Sequence, residues 1–247
     1  MATKKTAKPK ITLDMAAPVE PFEGYSDKTF KFLHGLKKNN NKPWFEAHRA
    51  DYETYLREPS KALVGAMAQV FAEEKIPLVS DLRRSLFRIN RDIRFSKDKS
   101  PYKTHIGIVF GLPDLGADEW AGMYMGFDPK GTNDVSVYFG GGIHMPSPPY
   151  LKSVRERIAK DYKRFAQINA AKSFRKEYSK GVTGDSLTRM PKGYDEDHPG
   201  ATFLKFKDFM YSTSLTKKEI CSPSLPKTLL AKIKPALPML LFLSGKE

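Results

Sequence analysis

From Ser26 onward, apolar positions fall first at helical and then at strand spacing. Phe30, Leu33 and Leu36 recur behind Ser26, a good N-cap residue, and predict a helix that Asn39-Asn40-Asn41 ends. Pro43 suits the first turn of a second helix, which carries Trp44, Phe45, His48, Tyr52, Tyr55 and Leu56 and stops before Pro59. A third helix runs through Leu63, Met67, Val70 and Phe71 towards Glu74. The period then changes to two. Phe87, Ile89, Arg91, Ile93 and Phe95 alternate with Arg88, Asn90, Asp92 and Arg94, which predicts a strand. Further strands are expected at Ile106 to Phe110, Met123 to Phe127 and Val135 to Phe139, with a loop over Gly111 to Glu119 and a turn over Asp128 to Gly131. Connections this short favour an antiparallel meander, because parallel neighbours need long crossovers.

Beyond Pro146 to Pro149, the stripe Leu151, Val154, Ile158, Tyr162 and Phe165 predicts one long helix with a basic outer face. Residues 181–201 read as loop. Phe203 to Thr213 alternates like a late strand, and Pro226 to Leu243 reads as a helix interrupted near Pro235 and Pro238. The expected fold class is α+β: N-terminal helices, a central mostly antiparallel sheet and C-terminal helices. Residues 1–21, rich in Lys, Thr, Ala and Pro, are expected to be a disordered basic tail, and 22–247 a single domain.

Composition adds a charge argument. The 247 residues hold 42 basic and 28 acidic side chains, a net +14. Lys4, Lys5, Lys8 and Lys10 against Asp14 and Glu20 leave +2 in residues 1–21, so the body carries +12. Such a body attracts polyanions or phosphorylated small molecules. The lone Cys221 allows no internal disulfide, no apolar run reaches membrane-spanning length, and the N-terminus has no apolar leader. The expected location is therefore the cytoplasm, with no membrane partner. Oligomeric state is not legible.

The charge concentrates between Arg83 and His105. Arg83, Arg84, Arg88, Arg91, Arg94, Lys97, Lys99 and Lys103 face only Asp92 and Asp98. If the strand forms, Arg88, Asn90, Asp92 and Arg94 share one face and Arg91 takes the other. Guanidinium forks converging on a phosphate or carboxylate would make Arg88, Arg91, Arg94, Ser96, Lys99, Tyr102 and Lys103 a binding set. The bland alternative is that Asp92 and Asp98 merely brace the segment through internal ion pairs. The stretch carries neither nucleotide-binding glycine pattern.

The same stretch resembles an uncharacterised family, domain of unknown function 2461. The likeness rests on Phe87-Arg88-Ile89, Arg91-Asp92, Arg94-Phe95-Ser96, Asp98-Lys99 and Pro101-Tyr102-Lys103. It continues in Asn39-Asn40 with Trp44-Phe45, in Gly140-Gly141-Gly142-Ile143 with Met145-Pro146, and in Pro191-Lys192-Gly193-Tyr194 before His198-Pro199. It spans about Ser26 to Leu243 and departs at Lys42-Pro43, where relatives tend to carry Arg and a polar residue. The resemblance implies one coherent domain and supplies no reaction or ligand.

Weaker signals complete the list. Trp44, His48 and Tyr52 share a helix face near Arg49, as a stacking surface or an aromatic core stripe. Gly140-Gly141-Gly142 after a strand suggests a bulge or bend, with close backbone approach to a ligand at Gly141 as the other option. The five histidines show no zinc spacing, and no metal or cofactor is called for. Asp92, Asp98 and His105 are the weak candidates for proton transfer, and Asp92 with Asp98 for Mg²⁺; His198, in an acidic loop, is secondary. Cys221 has no basic neighbour nearer than Lys218 and reads as inert. The leading expectation is binding of a phosphate-bearing ligand or nucleic acid through the Arg/Lys/Asp cluster. The alternatives are an enzyme acting on a small anionic substrate over the same residues, or a structural Arg–Asp network.

Overall fold

A computed structural model describes residues 20–115, 119–130 and 134–247. The expected tail therefore falls, up to residue 19, outside the described residues. Helix α1, Asp27–Lys38, begins where expected and buries Phe30, Leu33 and Leu36. Asp27 in its first turn and Lys37 and Lys38 in its last complement the helix dipole. Asn41 Oδ1 accepts from the Trp44 N–H at 3.0 Å and starts α2, Lys42–Ala47, with Pro43 in the first turn.

The second and third expected helices prove continuous through Pro59. Helix α3, Arg49–Tyr52, leads into a π-helical turn, Glu53–Arg57, and then α4, Glu58–Glu73. Pro59 has no N–H to offer the Tyr55 carbonyl. The buried Thr29 hydroxyl donates to that carbonyl instead, at 2.5 Å, and the wider turn absorbs the mismatch.

Four strands form the sheet: β1 Ile106–Gly111, β2 Gly122–Lys130, β3 Asp134–Ile143 and β4 Phe209–Leu215. All neighbours are antiparallel, in the order β1-β2-β3-β4, so the meander and the α+β class hold. One face carries Ile108, Phe110, Met123, Met125, Phe127 and Phe139, all fully buried. The core beneath it joins α1, α4 and the C-terminal helices into one contiguous cluster.

Several expected elements are corrected. Gly140, Gly141 and Gly142 do not follow a strand but lie within β3, paired with Tyr124, Met123 and Gly122. The long basic helix is two: α5 Pro148–Lys160 and α6 Tyr162–Ala170. Asp161, at φ −132°, leaves the helical path and its carboxylate accepts from the Arg164 N–H at 3.2 Å, restarting the helix. Helix α7, Lys172–Glu177, follows. The late strand starts only at Phe209, because Ala201–Leu204 forms a short helix, α8. After α9, Lys217–Ile220, helix α10 runs unbroken from Leu225 to Ser244 with Pro235 and Pro238 inside it. Its burial explains this: Leu229, Ile233, Ala236, Met239 and Leu240 are fully buried, and the Tyr178 hydroxyl donates to the Lys232 carbonyl at 3.0 Å. Among the described residues no helix is long and apolar enough to cross a membrane.

Candidate functional site

The charged stretch is not a strand. Among the described residues an isolated bridge, Leu86 with Ile108, ties it to the sheet edge, and another, Asn90 with Tyr102, joins its own two arms. The Phe87 N–H reaches the Gly107 carbonyl at 3.0 Å and the Val109 N–H reaches Ser85 at 2.8 Å, so an irregular strap runs along β1. Beyond Asn90 the chain turns out and back. Asp92 Oδ1 accepts from the Arg94 N–H at 3.2 Å, and Asp98 Oδ1 from the Ser100 N–H at 2.9 Å. These side-chain turns bend the backbone away from the sheet. The loop closes where Arg91 N–H meets the Pro101 carbonyl at 2.9 Å and Lys103 N–H meets Ile89 at 2.7 Å.

Inside this loop the arginines are engaged. The Arg91 guanidinium holds Asp98, the Ser100 carbonyl at 3.1 Å and Ser96 Oγ at 3.3 Å. Arg94 grips Asp92 through two hydrogen bonds, at 2.7 and 3.0 Å. Lys99 Nζ donates to the Ile93 carbonyl at 3.0 Å. The shared face expected of Arg88, Asn90, Asp92 and Arg94 therefore does not form. Hydrogen bonds from the Ser100 hydroxyl and N–H, then from Arg91, pull the Asp98 carboxyl down to about 2. The Arg94 fork also lowers the Asp92 carboxyl, with the Arg94 N–H and the field of Arg88 adding to it.

A cavity of about 520 Å³ opens beside the loop, lined by Arg91, Asp92, Asp98, Lys103, Thr104 and His105, with Lys37 and Asn40 on the side of α1. Asn40 sets the floor. Its Nδ2 donates to the Tyr102 carbonyl at 2.9 Å and its Oδ1 accepts from the Tyr102 N–H at 3.1 Å. Tyr102 is buried and its ring stacks on Phe45 at 4.0 Å, so its phenol belongs to the packing. Lys103 Nζ lies 5.1 Å from the centre of the Phe87 ring and makes no ion pair among the described residues. Burial first, then nearby Arg88, push its ammonium below the ordinary value. His105 is likewise lowered, by burial and then by Lys103. The wall thus carries positive charge that its own carboxylates do not neutralise.

A family model described as "Conserved hypothetical protein (DUF2461)" matches residues 28–242. The chain belongs to that family. No curated protein and no solved structure matches it. The DUF2461 stretches singled out in the sequence converge in part. Asn40 and Tyr102 meet at the cavity floor, and Arg91, Asp92, Asp98 and Lys103 line its wall. Arg88, Arg94, Ser96 and Lys99 stand outside the lining.

The secondary candidates of this DUF2461 member lie elsewhere. Trp44 and His48 stack on each other at 4.0 Å, and His48 Nδ1 sits 2.8 Å from the Trp44 carbonyl. Trp44, with Tyr52, packs against the core. Arg49 forks onto Glu46 at 2.7 and 2.9 Å over the Phe45 ring. Gly141 faces the core, where a Cβ would fall 2.5 Å from Met123 Sδ. His198 Nδ1 accepts from the Gly200 N–H at 2.9 Å, so its Nε2 donates to the Ala159 carbonyl at 3.2 Å and ties the loop to α5. Cys221 is half-buried, and burial raises its thiol. No three His, Cys, Asp or Glu side chains cluster as a metal site among the described residues. Sequence reading did not pick out Lys37, Ser100 or Thr104 as lining residues, and nothing in their spacing marks them.

Proposed function

We propose that the cavity beside Lys103 binds a small phosphate-bearing anion. One observation carries the reading. Both carboxylates on the cavity wall are already tied to arginines, while Lys103 on the same wall has no acidic partner among the described residues. An anion brings the missing negative charge and accepts from Lys103 and, once protonated, from His105. The volume suits a small ligand better than a polymer groove. Arg91 takes the part of a positioning residue, because its contacts with Asp98, Ser96 and Ser100 hold the loop that forms the wall. The reading takes residues 22–247 to act as one domain in the cytoplasm, the latter on the strength of the lone cysteine.

Titration calorimetry with inorganic phosphate at low salt tests it. Saturable binding is expected for the wild type. Lys103→Ala should weaken it about tenfold or more through loss of one charge-assisted hydrogen bond, with an unchanged thermal midpoint without ligand. Equal affinity in the two proteins would remove the cavity from consideration.

A further inference from the structure

The face of the sheet turned away from the core is unlike the core face. Its cross-strand rows read Val109–Tyr124–Gly140–Ser212 and Gly107–Gly126–Tyr138–Ser214. The glycines leave room for rings to lie over the backbone. A Cβ at Gly126 would fall 2.7 Å from both tyrosine rings, and one at Gly107 would fall 2.8 Å from the Tyr124 hydroxyl and 2.9 Å from the Phe87 ring. The rings form a continuous run. Phe87 and Tyr124 are 6.1 Å apart, and Tyr124 and Tyr138 stack at 5.3 Å with 23° between their planes. The two ends stay open to solvent, Phe87 at 41% and Tyr138 at 43% exposure. Ser212 and Ser214 add exposed hydroxyls along β4.

This platform begins where the cavity ends. Lys103 lines the cavity and sits over the first ring of the run, Phe87. His105 lines the cavity too, and it feels the charge of Asp128, paired with Ser136 on β2 and β3. The arrangement offers a cationic pocket, then the Phe87 ring tilted 56° from Tyr124, then the near-parallel Tyr124–Tyr138 pair, then hydroxyls.

We propose that the platform takes the base of a nucleoside monophosphate whose phosphate occupies the cavity beside Lys103. The inference rests on the phosphate reading above and adds the ligand class to it. Aromatic faces accept any base through stacking, and neighbouring cations reinforce that preference. Charge complementarity selects this occupant over a second copy of the chain, because the protein carries +14 and the platform adjoins Lys103, which has no acidic partner among the described residues.

Calorimetry with adenosine monophosphate, ribose 5-phosphate and inorganic phosphate separates the possibilities. Adenosine monophosphate is expected to bind about tenfold or more tighter than ribose 5-phosphate, the margin of one stacked base. Tyr138→Ser should erase that margin and leave the affinity for inorganic phosphate unchanged, while Tyr138→Phe, which keeps the ring, should preserve it. Equal binding of the two esters, or a margin that survives Tyr138→Ser, overturns the inference and leaves the phosphate reading standing. If the wild type takes none of the three, the phosphate reading falls and this inference falls with it.

Discussion

Asp98 shows how single residues hold the cavity wall. The Ser100 hydroxyl and N–H and the Arg91 guanidinium all favour its charged form, which is why its carboxyl sits near 2 rather than 3.8. The folded value lies below the unfolded one. Asp98 therefore contributes stability that is fully present above about pH 4 and is lost as pH falls towards 2. Asp98→Asn should flatten the acid limb of a stability-versus-pH curve, measured by urea denaturation between pH 2 and pH 6. An unchanged limb would mean that the Ser100 and Arg91 contacts to Asp98 do not persist in solution. Charge counting located this cluster from sequence, but it left open whether the acids orient the arginines towards a ligand or consume them. That choice depends on side-chain reach. Asp92 serves Arg94 two residues on, and Asp98 serves Arg91 seven residues back.

Elements were legible where the apolar period reflected one buried face. The α1 stripe and the strands β1 to β3 followed it, because Phe30, Leu33 and Leu36, or Ile108 and Phe110, point into one core. The strap failed for a physical reason. Its alternation came from apolar residues that are not buried as a set, with Ile89 at 8% exposure and Phe95 at 95%, while the turns at Asp92 and Asp98 redirected the backbone. The helix from Leu151 to Phe165 was read as one because its stripe stays in phase across the break that Asp161 makes. On the side of α1 the strap is fastened by Asn40, just past the helix end and clamped to both backbone groups of Tyr102. Asn40→Ala leaves a buried N–H and carbonyl without their partners and should cost about 2 kcal/mol in urea denaturation. Asn40→Asp retains the acceptor and should cost less. A loss below about 0.5 kcal/mol for the alanine variant would show that water replaces the clamp.

At the scale of the whole molecule, one core fixes the sheet, and the sheet edge carries the strap that forms the cavity. The sequence marked one side of this site, Arg91 to His105, through its density of charge. It did not place Lys37 and Asn40 opposite, because contact across some sixty residues leaves no local pattern. Nor did it mark the aromatic platform, since Tyr124 and Tyr138 lie in strands whose core faces dominate the periodicity. On the proposed reading, an anion completes the positive wall at Lys103 and gains His105 as a second donor once that ring is protonated. Burial and Lys103 hold the His105 imidazole below its ordinary 6.5, so the free protein resists protonation there and loses stability as pH drops below 6.5. A bound phosphate reverses that field and should raise the His105 value. The most direct measurement is an NMR titration of the His105 ring against pH, with and without inorganic phosphate, read alongside amide shifts. An upward move of His105 with phosphate is expected, with saturable shifts at Lys103, Thr104 and His105. An unmoved His105, or shifts confined to other regions, would contradict it.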